Sequence, residues 1–183
     1  MDHPDKLLHL AVVTLVGMGG LQAISQAPVP AELEVGKGGH GGVERHCDVP
    51  LDLIADAHRP YEDVGAWFTA DPARHWAAYV AGVFHVLSRE HGVRFLNGAA
   101  ILIESDVPEG KGVSSSAAIE VATMEAVVAA WRVAIDPRTR ALRCQQVENL
   151  IVGAPCGVMD QMATTLGDAG SLMALLCQPA EFQ

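Results

Sequence analysis

From Leu51 onward the apolar positions fall into an ordered series. Trp76, Tyr79, Val80, Val83, Phe84 and Leu87 recur at helical spacing, which predicts a helix with one face turned to a core. Asp71-Pro72 supplies its start, with Asp as cap and Pro at the first helical position, and Gly92 supplies its stop. The stretch Ala99 to Glu104 predicts a strand. Ala117 to Val133 predicts a second helix, apolar on several sides through Ile119, Val121, Ala122, Val127 and Val128, and therefore buried. Asp136-Pro137 opens a third, running to about Val152 and closed by Gly153, with Leu142, Val147, Leu150 and Ile151 as its stripe. A short helical piece from Asp160 to Leu166 and a strand from Ser171 to Cys177 complete the series. His75 and His85 read as helix-surface or rim residues, with nothing to pair them as metal ligands.

The first fifty residues are different in kind. Leu7 to Ala27 carries no formal charge and approaches the length of a bilayer span. Lys6 is its only flanking cation, Asp2 and Asp5 stand beside it, and His9, Thr14, Gln22, Ser25 and Gln26 dilute it. A buried or poorly defined segment is favoured over a membrane anchor or export signal. Gly36 to Gly42 reads GKGGHGG, a flexible connection whose lysine lacks the ending of a P-loop. The expected organisation is an unassigned segment, 1–50, followed by one folded unit, 51–183.

Composition narrows the function classes. A chain of 183 residues, half of them apolar, can build one domain with a substantial core. A formal charge of −10 argues against a nucleic-acid surface, which needs a basic patch. A nucleotide would have to be held with the help of metal ions. Cys47, Cys144, Cys156 and Cys177 have no C-x-x-C spacing, so a reduced, cytoplasmic protein is expected.

Three places carry candidate chemistry. Pro108-Glu109-Gly110-Lys111-Gly112-Val113-Ser114-Ser115-Ser116-Ala117 lies between the predicted strand and the buried helix. Its glycines permit close backbone approach, and the helix N-terminus offers unpaired N–H groups and a partial positive charge to a phosphate. The same residues also fit a plain glycine turn with a serine cap. Glu148 stands near a helix C-terminus, where the dipole disfavours it, as either a functional carboxylate or a solvated surface group. Asp160 opens the short helix after Gly153-Ala154-Pro155-Cys156-Gly157, as a cap or as a catalytic group.

The first run resembles the P-x-x-x-G-[LV]-[GS]-S-S-A-A motif of the GHMP small-molecule kinases. The second, Glu148 with Gly-Ala-Pro-Cys-Gly-Val-Met-Asp-Gln, is similar to the segment around the catalytic aspartate in the galactokinase-like branch. Lys111, Trp76 to Gly82 and Cys177 to Glu181 resemble the kinase portion of plant-type L-arabinokinases. The resemblance covers about Leu51 to Glu181. It implies an α+β fold, the GHMP-kinase amino-terminal domain with a mixed β-sheet and packed α-helices, here incomplete. It implies ATP and Mg²⁺ as cofactors and a monosaccharide, L-arabinose or galactose, phosphorylated at its anomeric hydroxyl. Pro108, Gly110, Lys111, Gly112, Val113, Ser114, Ser115, Ser116 and Ala117 would wrap the phosphates. Ser115 or Ser116 would join Glu148 on Mg²⁺, and Asp160 would be the base or electrostatic orienter. The sugar signature of the branch, with its Asp-Tyr, is not found: Gly38-Gly39-His40-Gly41-Gly42 is followed by Val43-Glu44. A third, Gly-rich motif would lie beyond Gln183. A non-catalytic remnant that binds nucleotide or a partner is the alternative.

Overall fold

The computed structural model describes residues 7–8, 13–15, 46–96, 98–99, 101, 103–105, 107–176 and 181–182. Apart from two short strands, the apolar N-terminal run lies outside the described residues, as do the glycine-rich connection and Cys177. No helix among the described residues is long and apolar enough to cross a membrane.

Six helices dominate the described residues: α1 (Leu51–Ala55), α2 (Tyr61–Thr69), α3 (Ala78–His91), α4 (Ser115–Ala130), α5 (Pro137–Val147) and α6 (Met159–Leu166). Six short strands pair two by two. β1 (Leu7–Leu8) runs antiparallel to β3 (Val49–Pro50), β2 (Val13–Leu15) parallel to β4 (Ile103–Ser105), and β5 (Leu175–Leu176) antiparallel to β6 (Glu181–Phe182). Strand direction is therefore mixed, and the described strands form three separate pairs. The described architecture is rich in helix with few strands, in keeping with the α+β expectation.

The centre of the molecule is α3, buried on every side from Val80 to Ser88. It packs on α1, α4 and α5, which explains why its sequence carries so little charge before Arg89. Phe84, Phe95 and Trp131 stack around one another with ring centroids 5.0–5.8 Å apart, closing one end of the core. Gly82 lets α5 come close: a Cβ there would lie 2.7 Å from Val147 Cγ1.

Several expected boundaries shift. Asp71 does not start α3. Its carboxylate accepts the Ala73 N–H and its carbonyl accepts the Arg74 N–H, closing a tight turn, and a 3₁₀ turn (His75–Ala77) precedes α3. α3 does end at Gly92, in the left-handed region, as expected. α4 starts earlier than Ala117 and stops before Val133, where Arg132 takes a positive φ. Asp136 caps α5 as expected, accepting the Thr139 N–H at 3.0 Å. The strands β4 and β5 are shorter than Ala99–Glu104 and Ser171–Cys177 suggest. His75 is partly buried, with Nε2 3.1 Å from the Val152 carbonyl. His85 is no rim residue: it is wholly buried, with Nδ1 and Nε2 each 3.1 Å from the carbonyls of Ile54 and Arg59. The segment between α1 and α2 folds over it, and that long-range contact leaves no periodic trace in α3.

Candidate functional site

The Gly/Ser loop is built from backbone. Gly110, Gly112 and Ser114 have φ of +67°, +69° and +58°, while Lys111 and Val113 are not among the positive-φ residues. Such alternation in the sign of φ through a turn can bring successive N–H groups into a concave nest suited to anions. Ser114 is one of two described non-glycine residues with positive φ, a conformation that costs energy and clusters at functional sites. It occupies the cap position of α4 without a side-chain cap bond, and the first helical hydrogen bond there comes from the Ala118 N–H. The loop from Pro108 to Val113 is exposed, and nothing lies within 4 Å of a Cβ built at Gly110 or Gly112. Serine as a capping side chain is thus not what this loop uses.

The second half of the site is buried and made of side chains. α5 does not end at Val147 but widens into a π turn (Glu148–Val152), closed by Gly153 in the left-handed region. The widening brings Glu148 inward to 7 % exposure, so the solvated-surface reading of this carboxylate does not hold. Its Oε2 accepts the Gln161 Nε2–H at 2.7 Å and the Cys156 thiol at 3.4 Å. Among the described residues its Oε1 makes no hydrogen bond. The same Gln161 Nε2 donates to Glu120 Oε2 at 3.2 Å.

Glu120 and Gln161 are both wholly buried, and sequence reasoning missed both. Burial, reinforced by the charge of Glu148, pushes the Glu120 carboxyl up to about 9, against some relief from Gln161. Burial and the Glu148 carboxylate likewise push the Cys156 thiol up to about 12, which makes it a hydrogen-bond donor rather than a nucleophile. Glu120 lies between Ile119 and Val121 in an apolar helix. A lone acid there is the one available signal, and it names no partner.

Asp160 is in the first turn of α6, one residue inside its start, and Val158 holds the cap position. The cap expectation for Asp160 is therefore corrected. The loop before α6 is pinned to α5: Asn149 Oδ1 accepts the Cys156 N–H at 2.7 Å, and Gln145 Nε2 donates to the Cys156 carbonyl at 3.1 Å. Ser116 stands one turn before Glu120 on the same face of α4, a spacing of four residues that Ser115 lacks. The helices α4, α5 and α6 pack on one another; α4 carries Ser116, α6 carries Asp160, and Glu148 follows directly on α5. No hydrogen bond among the described residues joins the side chains of Ser115, Ser116 or Asp160 to Glu148. No group of three or more His, Cys, Asp or Glu side chains forms a ready metal cluster among the described residues.

Residues 78–168 match the family described as GHMP kinases N terminal domain. The chain is 51% identical over 164 residues, 87% of its length, to an L-arabinokinase from Arabidopsis thaliana. It is 39% identical over 121 residues (66% of the chain) to a galactokinase from Exiguobacterium sibiricum, and 38% identical over 114 residues (62%) to one from Chloroflexus aggregans. It spans 16% of the length of the plant protein and 31% and 28% of the two bacterial ones. The match runs from α3 through α6, and so takes in both the Gly/Ser loop and the buried carboxylates: the chain belongs to the GHMP kinase family.

Proposed function

We propose that this chain supplies the nucleotide-binding half of an ATP- and Mg²⁺-dependent sugar 1-kinase, acting on L-arabinose or galactose. The observation that carries the reading is the run of alternating φ from Gly110 to Ser114, leading into a helix start with no side-chain cap. Backbone N–H groups from this nest and from Ser115, Ser116 and Ala117 hold the phosphates, and the dipole of α4 adds to their attraction. Pro108 sets the entry to the loop, and Lys111 adds a point charge.

The donor set suits Mg²⁺, which takes one or two protein oxygens and completes its shell with phosphate and water. Glu148 Oε1 and the hydroxyl of Ser116, or of Ser115, would hold it, and it would neutralise charge on the β- and γ-phosphates. In the transfer, the anomeric hydroxyl oxygen bonds to the γ-phosphorus while the bond to the bridging oxygen breaks and ADP leaves. Asp160 accepts the hydroxyl proton or orients the hydroxyl, and its position beside the anchored Gln161 favours that role. Cytoplasmic residence belongs to the same proposal.

Titrating ATP·Mg²⁺ against the chain, with and without each sugar, tests the reading. Nucleotide binding is expected, and formation of sugar 1-phosphate would support the enzyme reading. Nucleotide binding without any product favours a non-catalytic binding role, and a folded chain that binds no nucleotide overturns both.

A further inference from the structure

We infer that Gln161 is a positioning residue for Glu148, fixing which carboxylate oxygen is left to a metal ion. The inference rests on the kinase reading above and concerns how Glu148 is held. A primary amide nitrogen carries two hydrogens, so one side chain can bridge two carboxyls. Gln161 does so, with Nε2 2.7 Å from Glu148 Oε2 and 3.2 Å from Glu120 Oε2. The bridge joins α6 to the π turn after α5 and to the middle of α4.

Two features separate this role from plain packing. An apolar side chain of equal volume would fill the slot without the desolvation cost of a buried amide. The Oε1 of Gln161, moreover, is buried without a hydrogen-bond partner among the described residues, so the amide is oriented for its donors at the expense of its acceptor. The consequence is asymmetric. Glu148 Oε2 is committed to Gln161 and to the Cys156 thiol, and Oε1 is the oxygen with no hydrogen bond among the described residues. Asp160 directly precedes Gln161, so the candidate metal ligand and the candidate base share one anchor.

The test follows binding of a fluorescent ATP analogue to the whole chain as Mg²⁺ is titrated, and again in excess chelator. Gln161→Met keeps the volume and removes both donors. It is expected to raise the Mg²⁺ concentration for half-maximal binding by roughly tenfold or more, with metal-free nucleotide affinity within about twofold of wild type. If Gln161→Met does not fold, Gln161→Asn is read the same way, since its amide is one methylene too short to span both carboxyls. An unchanged Mg²⁺ requirement in a folded variant overturns the inference and leaves the kinase reading standing. Wild-type binding that ignores Mg²⁺ overturns both together.

Discussion

The two halves of the candidate site solve the problem of charge in opposite ways. The Pro108–Val113 loop is exposed and offers main-chain donors, with glycines that keep the backbone in the left-handed region. The Glu120–Gln161–Glu148 corner is buried and offers side-chain acceptors, which three helices bring together. The loop depends on local conformation, so changes there should affect ligand before fold. The corner depends on tertiary packing, so changes there should affect fold and ligand together.

Asp160 directly precedes Gln161, and its replacement should have the largest effect. Asp160→Asn is expected to lower phosphoryl transfer by roughly 10²- to 10⁴-fold, as loss of a general base does, with nucleotide affinity little changed. Undiminished turnover would remove Asp160 from the mechanism.

The next effect belongs to the packing behind the corner. A Cβ at Gly65 in α2 would lie 2.8 Å from the Ile151 carbonyl oxygen in the π turn, and backbone cannot rotate away as a side chain can. Gly65→Ala should cost about 1–3 kcal/mol of stability by overpacking, measured by denaturant unfolding, and should weaken Mg²⁺-dependent binding with it. Full stability would mean that the turn is softer than the close approach implies.

Glu120 allows the comparison to be sharpened by pH. Its carboxyl titrates near 4.5 when unconstrained and is pushed to about 9 in the fold. Between those values the folded chain holds a proton that the unfolded chain has lost. The associated stability is therefore fully present below about 4.5 and is lost as pH rises toward about 9. Glu120→Gln, a neutral isostere that still offers an oxygen to Gln161, should flatten this dependence and raise stability at pH 8 by roughly 1–3 kcal/mol. A steeper dependence in the variant would place the titration elsewhere.

The smallest change in stability is expected in the loop. Gly112→Ala meets no atom within 4 Å but must adopt a φ of +69°, a strain of about 1 kcal/mol. Affinity for ATP·Mg²⁺ should fall by about tenfold if the nest is deformed, well beyond that modest loss of stability. Equal loss of both would erase the distinction between the two halves.

That distinction also decides what could be read from the sequence. Gly110 and Gly112 spell out backbone behaviour in their own identities, so the turn was legible before any fold was known, whereas the left-handed, uncapped Ser114 was not. The long helices α3, α4 and α5 were legible from periodicity, and α5 from its Asp136-Pro137 start. Asp71-Pro72 misled because an identical signal can close a turn. Apart from the family resemblance, Glu148 stood out only as a misfit with the helix dipole, and its burial in the π turn was not legible. Glu120 and Gln161 were silent because each is defined by the other. His85 was misread for the same reason: the carbonyls around its ring come from residues some thirty positions earlier.

The π turn carries a consequence for how this chain can vary in length. Both the Gly153 and the Ala154 N–H close on the Glu148 carbonyl, so the main chain of Glu148 latches the helix end while its side chain is held by Gln161. Removing one residue from 148–152 would convert the wide turn to a regular one and swing whatever follows by about 100° around the axis. Insertions and deletions should thus be tolerated far better in the exposed stretch before β5 than across these five positions, where the count of residues is itself part of the site.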